Sequence, residues 1–214
     1  MPACFGAAIV NYGGAGVQSS QVSGVTHFAF QDAMTTNRTL ASSGGSFDRI
    51  GVVSSDQYGG AQGNAVYGTA GRTAEGTTKA TFTLNTPSSY FGFWWSAADA
   101  ENVVTFYDGK NVVMTLTTAD LQNALGGCSA GNAYCGNPNN GLDNGELFAY
   151  VNIYGTGTTK FTSVEFANTM RTGFEFDNLA FGTASVPEPT TLGLAAGALV
   201  GLGALVARRR NTKA

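Results

Sequence analysis

Apolar and polar residues alternate with a period of two in short runs separated by Gly, Asn, Asp and Ser, and no long run of 3.6-residue period occurs before Thr190. In Thr78–Leu84, Ala80, Phe82 and Leu84 fall on one face and Lys79, Thr81 and Thr83 on the other, as a half-buried strand requires. The same pattern predicts strands at Thr26–Phe30, Phe47–Val53, Tyr90–Trp95, Val103–Tyr107, Val112–Thr117, Ala149–Tyr154, Phe161–Phe166 and Gly173–Phe181. Asp108-Gly109 supplies a hairpin turn, and Ala119–Leu125 alone reads as a short helix. Nine strands in about 160 residues without a fixed repeat predict an all-β fold, a two-sheet antiparallel β-sandwich of jelly-roll type. The Gly/Ser-rich stretch Thr35–Gly76 is read as holding long loops. Three regions follow: an N-terminal segment over 1–20, the sandwich over 21–184, and a tail over 185–214.

Composition narrows the function classes. Hydrophobic residues make up 43% and aromatics 11% of the 214 residues, too much apolar bulk for a disordered chain. His27 is the only histidine, which excludes a histidine-built metal cluster, and no nucleophile or orienting partner is recognisable beside it. Four of the 11 Lys and Arg (Arg208, Arg209, Arg210 and Lys213) fall at the very end, leaving seven against 14 acidic residues before them. So acidic a body has no basic face to replace phosphate counterions, and no nucleic acid is expected as a partner. Gly13-Gly14-Ala15-Gly16 lacks the Lys-Ser/Thr of a phosphate loop, and Thr77-Thr78 and Thr158-Thr159 belong to no regular threonine array.

From Thr190 to Ala207 the chain carries no charge. As a helix this run extends about 27 Å, close to the hydrocarbon thickness of a bilayer, so one C-terminal transmembrane helix is expected. Arg208, Arg209 and Arg210 follow at once and hold the short end in the cytoplasm, which places residues 1–189 on the outer side. Before the helix, Pro187, Glu188 and Pro189 continue neither strand nor helix and form an exposed junction suited to a processing enzyme. The ordered combination of Pro-Glu-Pro, Thr-Thr-Leu-Gly-Leu, apolar helix and arginine cluster resembles the PEP-CTERM sorting tail of Gram-negative bacteria that make extracellular polysaccharide. That resemblance implies export, an inner-membrane-anchored precursor, recognition and cleavage at Pro187–Pro189 by an exosortase, and release to the cell surface or extracellular matrix, as in a biofilm. Met1–Val10 lacks a basic region and a long apolar run, so residues 1–20 are expected to be the remnant of an export signal that starts upstream or was trimmed.

A second resemblance covers residues 78–182. FGFWWSAADAENVVTFYDGKNVV, YVNIYG and FTSVEFANTMRTGFEFDNLAFG are similar to the ectodomain of exosortase-dependent surface proteins, and Phe174–Leu179 is similar to the closing strand of lectin-like, carbohydrate-binding jelly rolls. What it implies is a lectin-like sandwich; it carries no catalytic residues over, since fold does not fix function.

Candidate chemistry lies in four places. Cys128 and Cys135, in the Gly/Asn-rich stretch Gly126–Gly145, either form a local disulfide, stabilising by about 2–3 kcal/mol in an oxidising compartment, or stay as inert thiols. Cys4 has no obvious partner. Tyr90 and Trp94 share one face of an aromatic strand and either pack in the core or form an open stacking platform for a sugar. Glu175 and Asp177 share a strand face, about 6–7 Å apart, which permits a hydrolytic carboxylate pair or merely solvated acids; Asp177 also counts with Tyr90 and Trp94 as a ligand-binding candidate. Asp143, Asn144 and Glu146 offer hard oxygens for Ca²⁺ but lack EF-hand spacing, so a solvated acidic loop stays open, and no other cofactor is expected. The expected function is therefore a noncatalytic structural or adhesive surface protein, with a carbohydrate-binding module as the alternative and a secreted glycoside hydrolase as a third reading.

Overall fold

The computed structural model describes residues 3–5, 7–30, 35–129 and 131–186. Within them run β1 (Ala3–Phe5), β2 (Ala8–Tyr12), β3 (Thr26–Phe28), β4 (Thr35–Ala41), β5 (Gly45–Ser54), β6 (Val66–Ala70), β7 (Lys79–Ser88), β8 (Tyr90–Ser96), β9 (Asn102–Asp108), β10 (Asn111–Thr117), α1 (Thr118–Leu125), β11 (Ala149–Gly155), β12 (Phe161–Asn168) and β13 (Phe174–Gly182). All nine strands predicted from the two-residue period are present, with the Asp108-Gly109 hairpin between β9 and β10. β1, β2, β4 and β6 are additional, so Thr35–Gly76 is not simply loop. β6 escaped the pattern because Gly68 sits at its centre; a Cβ there would collide with the buried Phe30 ring, so glycine is what lets the two pack.

The expected two separate sheets are one hydrogen-bonded sheet, ordered β1-β2-β11-β8-β13-β6-β5-β7-β12-β9-β10, with β3 added to β13 and β4 to β5. β5 is the reason: Gly45–Phe47 pair with β7, whereas Gly51–Ser54 pair with β6, and Arg49 between them turns with φ 40. The sheet bends there and wraps nearly closed around one core. It also takes in residues 8–12, ahead of the residue-21 start expected for the β domain, because β2 pairs along β11 and buries Ala8 and Val10 completely. Thr117 and Asp120 form a capping box that starts α1, and the fully buried Leu121 seats the helix on the core.

Inward residues of β8 and β13 meet those of β7, β9 and β12. Phe166 stacks on Phe176 with ring centroids 4.0 Å apart, and Phe93 meets Phe166 edge-on at 5.2 Å. Each such ring contributes about 1.5–3 kcal/mol by burial alone. The opposite face of β8 is also covered: Trp94 lies with Ala61, Ala97, Phe148 and Tyr150, and Tyr90 with Tyr154 and Ala180. Loop residues close over the Trp94 end, and there the site is found. The expected helix over Thr190–Ala207, with Pro187, Glu188, Pro189, Arg208, Arg209 and Arg210, lies outside the described residues, as does the Cys4 side chain; among the described residues no helix is long and apolar enough to cross a membrane.

Candidate functional site

β13 organises the site through its alternation. Phe174 and Phe176 point into the core, so Glu175 and Asp177 point to the outer face, opposite Ser96 and Trp94 of β8. A bulge at Asn178 (φ 46) interrupts the β8–β13 ladder just beyond them, where bulges serve to re-aim side chains.

Asp177 is fully buried and holds the roof. Its carboxylate accepts from Ala61 N–H (3.0 Å), Asn64 Nδ2 (2.9 Å) and Asn178 N–H (2.8 Å), which fastens loop 55–64 over the strand. Burial still holds its pKa above the ordinary range, although all three donors act to lower it. A second loop, 126–147, is stapled by the Cys128–Cys135 disulfide and tied to the first by Asn137 Nδ2, which donates to the carbonyls of Asp56 (3.2 Å) and Gln57 (3.3 Å).

Beside these loops opens a cavity of about 410 Å³ lined by Asp56, Tyr58, Tyr67, Arg72, Ala97, Asp99, Glu146, Thr172 and Glu175. Glu175 is only 6% exposed, and its Oε2 has no hydrogen-bond partner; Ser96 Oγ, opposite it on β8, has none either. Burial, reinforced by the charge of Asp99, raises the Glu175 pKa well above the ordinary glutamate value. Gly173 (φ 133) makes the room, since a Cβ there would collide with Glu175 Oε1 and stand 3.0 Å from Arg72 Cγ. Glu146 is pushed up to about 8, first by burial and then by the neighbouring Asp99 charge, with Asp143 close by adding to the rise. Tyr67, buried beneath Asp56, donates its hydroxyl to Asp56 Oδ1 at 3.0 Å, while Tyr58 stands 43% exposed. Carboxyls whose pKa values burial raises can both donate to and accept from hydroxyl groups.

Several sequence expectations change here. Trp94 is 1% exposed and Tyr90 0%, with Tyr90 Oη bonded to Asn152 Oδ1 and Ser20 Oγ at 2.7 Å each, so these rings form no open platform; Ala61 of loop 55–64 packs on Trp94, and Val22, Val25, Ala184 and Val186 close over Tyr90. Glu175 and Asp177 do not act as a pair, because Asp177 is consumed by the roof while Glu175 faces other acids. Of the proposed calcium donors, Asp143 and Glu146 come together, but Asn144 is exposed and lies toward the disulfide loop. No group of three or more His, Cys, Asp or Glu side chains among the described residues is arranged to hold a metal ion. Asp56, Tyr58, Tyr67, Arg72 and Asp99 went unrecognised, since they come from separate loops and strands with no common spacing.

Residues 185–210 match the PEP-CTERM protein-sorting motif. No curated protein and no solved structure matches the chain. The PEP-CTERM motif, directly after β13, marks this as an exported protein handled by an exosortase, held in the membrane as a precursor before cleavage.

Proposed function

We propose that the β-rich ectodomain, once released by its exosortase, is a noncatalytic component of the cell surface or polysaccharide matrix that holds extracellular glycan in the loop-roofed cavity, a lectin-like adhesive role. The observation that carries this reading is Glu175, a buried carboxyl with an unpartnered oxygen on the wall of a cavity whose other lining is acid, phenol, hydroxyl and guanidinium. The volume is in the range of ligand pockets, roughly 300–1,000 Å³, and the exposed Tyr58 ring offers a face for a sugar's C–H groups. Export under the sorting motif supports a site that works outside the cell.

A second reading has its own support, because carboxyls held protonated beside further carboxyls are the acid and base of glycoside hydrolysis. Incubating the protein with polysaccharide from its host separates the two. Retention on immobilised glycan, lost in Glu175→Gln, with no new reducing ends, is the expected result; steady release of reducing ends that stops in Glu175→Gln and Glu146→Gln favours hydrolysis; neither retention nor release of reducing ends overturns both.

A further inference from the structure

The cavity's acids are many and its cations few: Asp56, Asp99, Glu146 and Glu175 line it against Arg72 alone. The orphan Oε2 of Glu175, in a side chain more than nine-tenths buried, marks where a donor is missing. Among the described residues no three His, Cys, Asp or Glu side chains converge as metal ligands. The carboxyls are instead spread around a space wide enough for a sugar ring, with Tyr58 exposed and Thr172 adding a hydroxyl. We propose that this cavity recognises a sugar bearing a free ammonium group, so that the glycan it holds is an amino-sugar polymer whose amines are at least partly unacetylated. The proposal rests on the glycan-binding reading above and names the substrate class within it.

The chemistry is specific. An ammonium carries three donors and a positive charge; set beside Glu146 and Glu175 it favours their ionised forms, and the resulting carboxylates accept without donating. Acetylating the amine removes the charge and two donors at once and adds bulk, so the site discriminates against the acetylated sugar by leaving its own buried carboxyls unpaired. The charged and titratable groups that face Glu175 are Asp99, Glu146, Tyr67 and Arg72, so a bound ammonium relieves the repulsion among the three acids.

The test is titration calorimetry of the full chain in detergent at about pH 6, where a sugar amine is charged. The probes are glucosamine oligomers, their N-acetylated counterparts, neutral glucose oligomers, a lysine-rich peptide and Ca²⁺ alone. The expected result is binding of glucosamine oligomers at least tenfold tighter than of the acetylated and neutral sugars, weakened on the order of 30-fold or more in Glu175→Gln and in Glu146→Gln. A Glu101→Gln/Asp108→Asn variant, which removes two exposed charges outside the cavity, leaves that binding unchanged. Equal or tighter binding of acetylated or neutral oligomers, lost in Glu175→Gln, overturns the ammonium assignment and leaves the glycan reading standing. Stronger binding of the peptide or of Ca²⁺ alone, an equal loss in the Glu101/Asp108 variant, or no sugar binding by protein with a native circular-dichroism spectrum overturns the proposal, and the last of these overturns the glycan reading too.

Discussion

Replacing Glu175 by Gln should make the protein more stable at neutral pH while weakening its site. The folded state raises the Glu175 pKa through burial and the Asp99 charge, so folded chains hold a proton there that unfolded chains release above about 4.5. Stability contributed by this group is therefore lost as pH rises from that value, since the native state binds more protons than the unfolded one. At about 1.4 kcal/mol per pH unit the cost at pH 7 is at most about 3 kcal/mol, the work of protonating an ordinary glutamate there. Glutamine keeps the shape and removes the titration, but its unpaired amide returns about 1 kcal/mol. The expected gain is about 1–2 kcal/mol at pH 7, a shift of about 0.5–1 M in the urea midpoint, turning into a deficit of about 1 kcal/mol near pH 4. Urea melts followed by tryptophan fluorescence at pH 4, 5.5 and 7, with the disulfide intact, measure it directly. A variant no more stable than the parent at pH 7, or an offset that does not change with pH, would refute the reasoning and mean that Glu175 sits in a compensated ion pair.

Other consequences are equally open to measurement. Glu146→Gln should flatten the pH dependence of stability between about 4.5 and about 8, because its raised pKa likewise makes stability fall with rising pH across that window, as urea midpoints over this range will show. Asp177→Ala leaves the Ala61 amide without its buried acceptor and should cost about 2–4 kcal/mol, with hydrogen exchange accelerated selectively in loop 55–64. Phe176→Ala removes a fully buried ring stacked on Phe166 and should cost about 3–5 kcal/mol in chemical denaturation, leaving the cavity's outer face in place. Intact-mass measurement of protein released from the host surface should find a chain ending near Pro187–Pro189, and a Pro187→Ala/Pro189→Ala variant should retain its tail.

Much of this could be read from the chain before folding. Strands such as Lys79–Ser88 announced themselves because one face is apolar and the other polar, and Tyr90–Ser96 because it is apolar on both faces. The sorting tail was legible because its meaning lies in local order. The single bent sheet was not, since what joins its layers is the change of partner along β5, and Phe47–Val53 reads the same whether it has one neighbour or two. The cavity was legible only in fragments. Glu175, Asp177, Asp143 and Glu146 drew notice as close-spaced acids, yet their roles were set by partners distant in sequence: Asp177 by Ala61 and Asn64, Glu146 by Asp99, and Glu175 by the absence of any partner for one oxygen. Trp94 shows the converse, an aromatic whose alternation promised an outer face that loop residues then covered.

The most direct test of the account is to follow the backbone amide spectrum of isotope-labelled protein while adding fragments of the host's own extracellular polysaccharide. Shifts concentrated at Tyr58, Tyr67, Arg72, Asp99, Glu146, Thr172 and Glu175, and abolished in Glu175→Gln, are what the account predicts. Saturating glycan that leaves those amides unmoved, or moves only residues on another face, would contradict it.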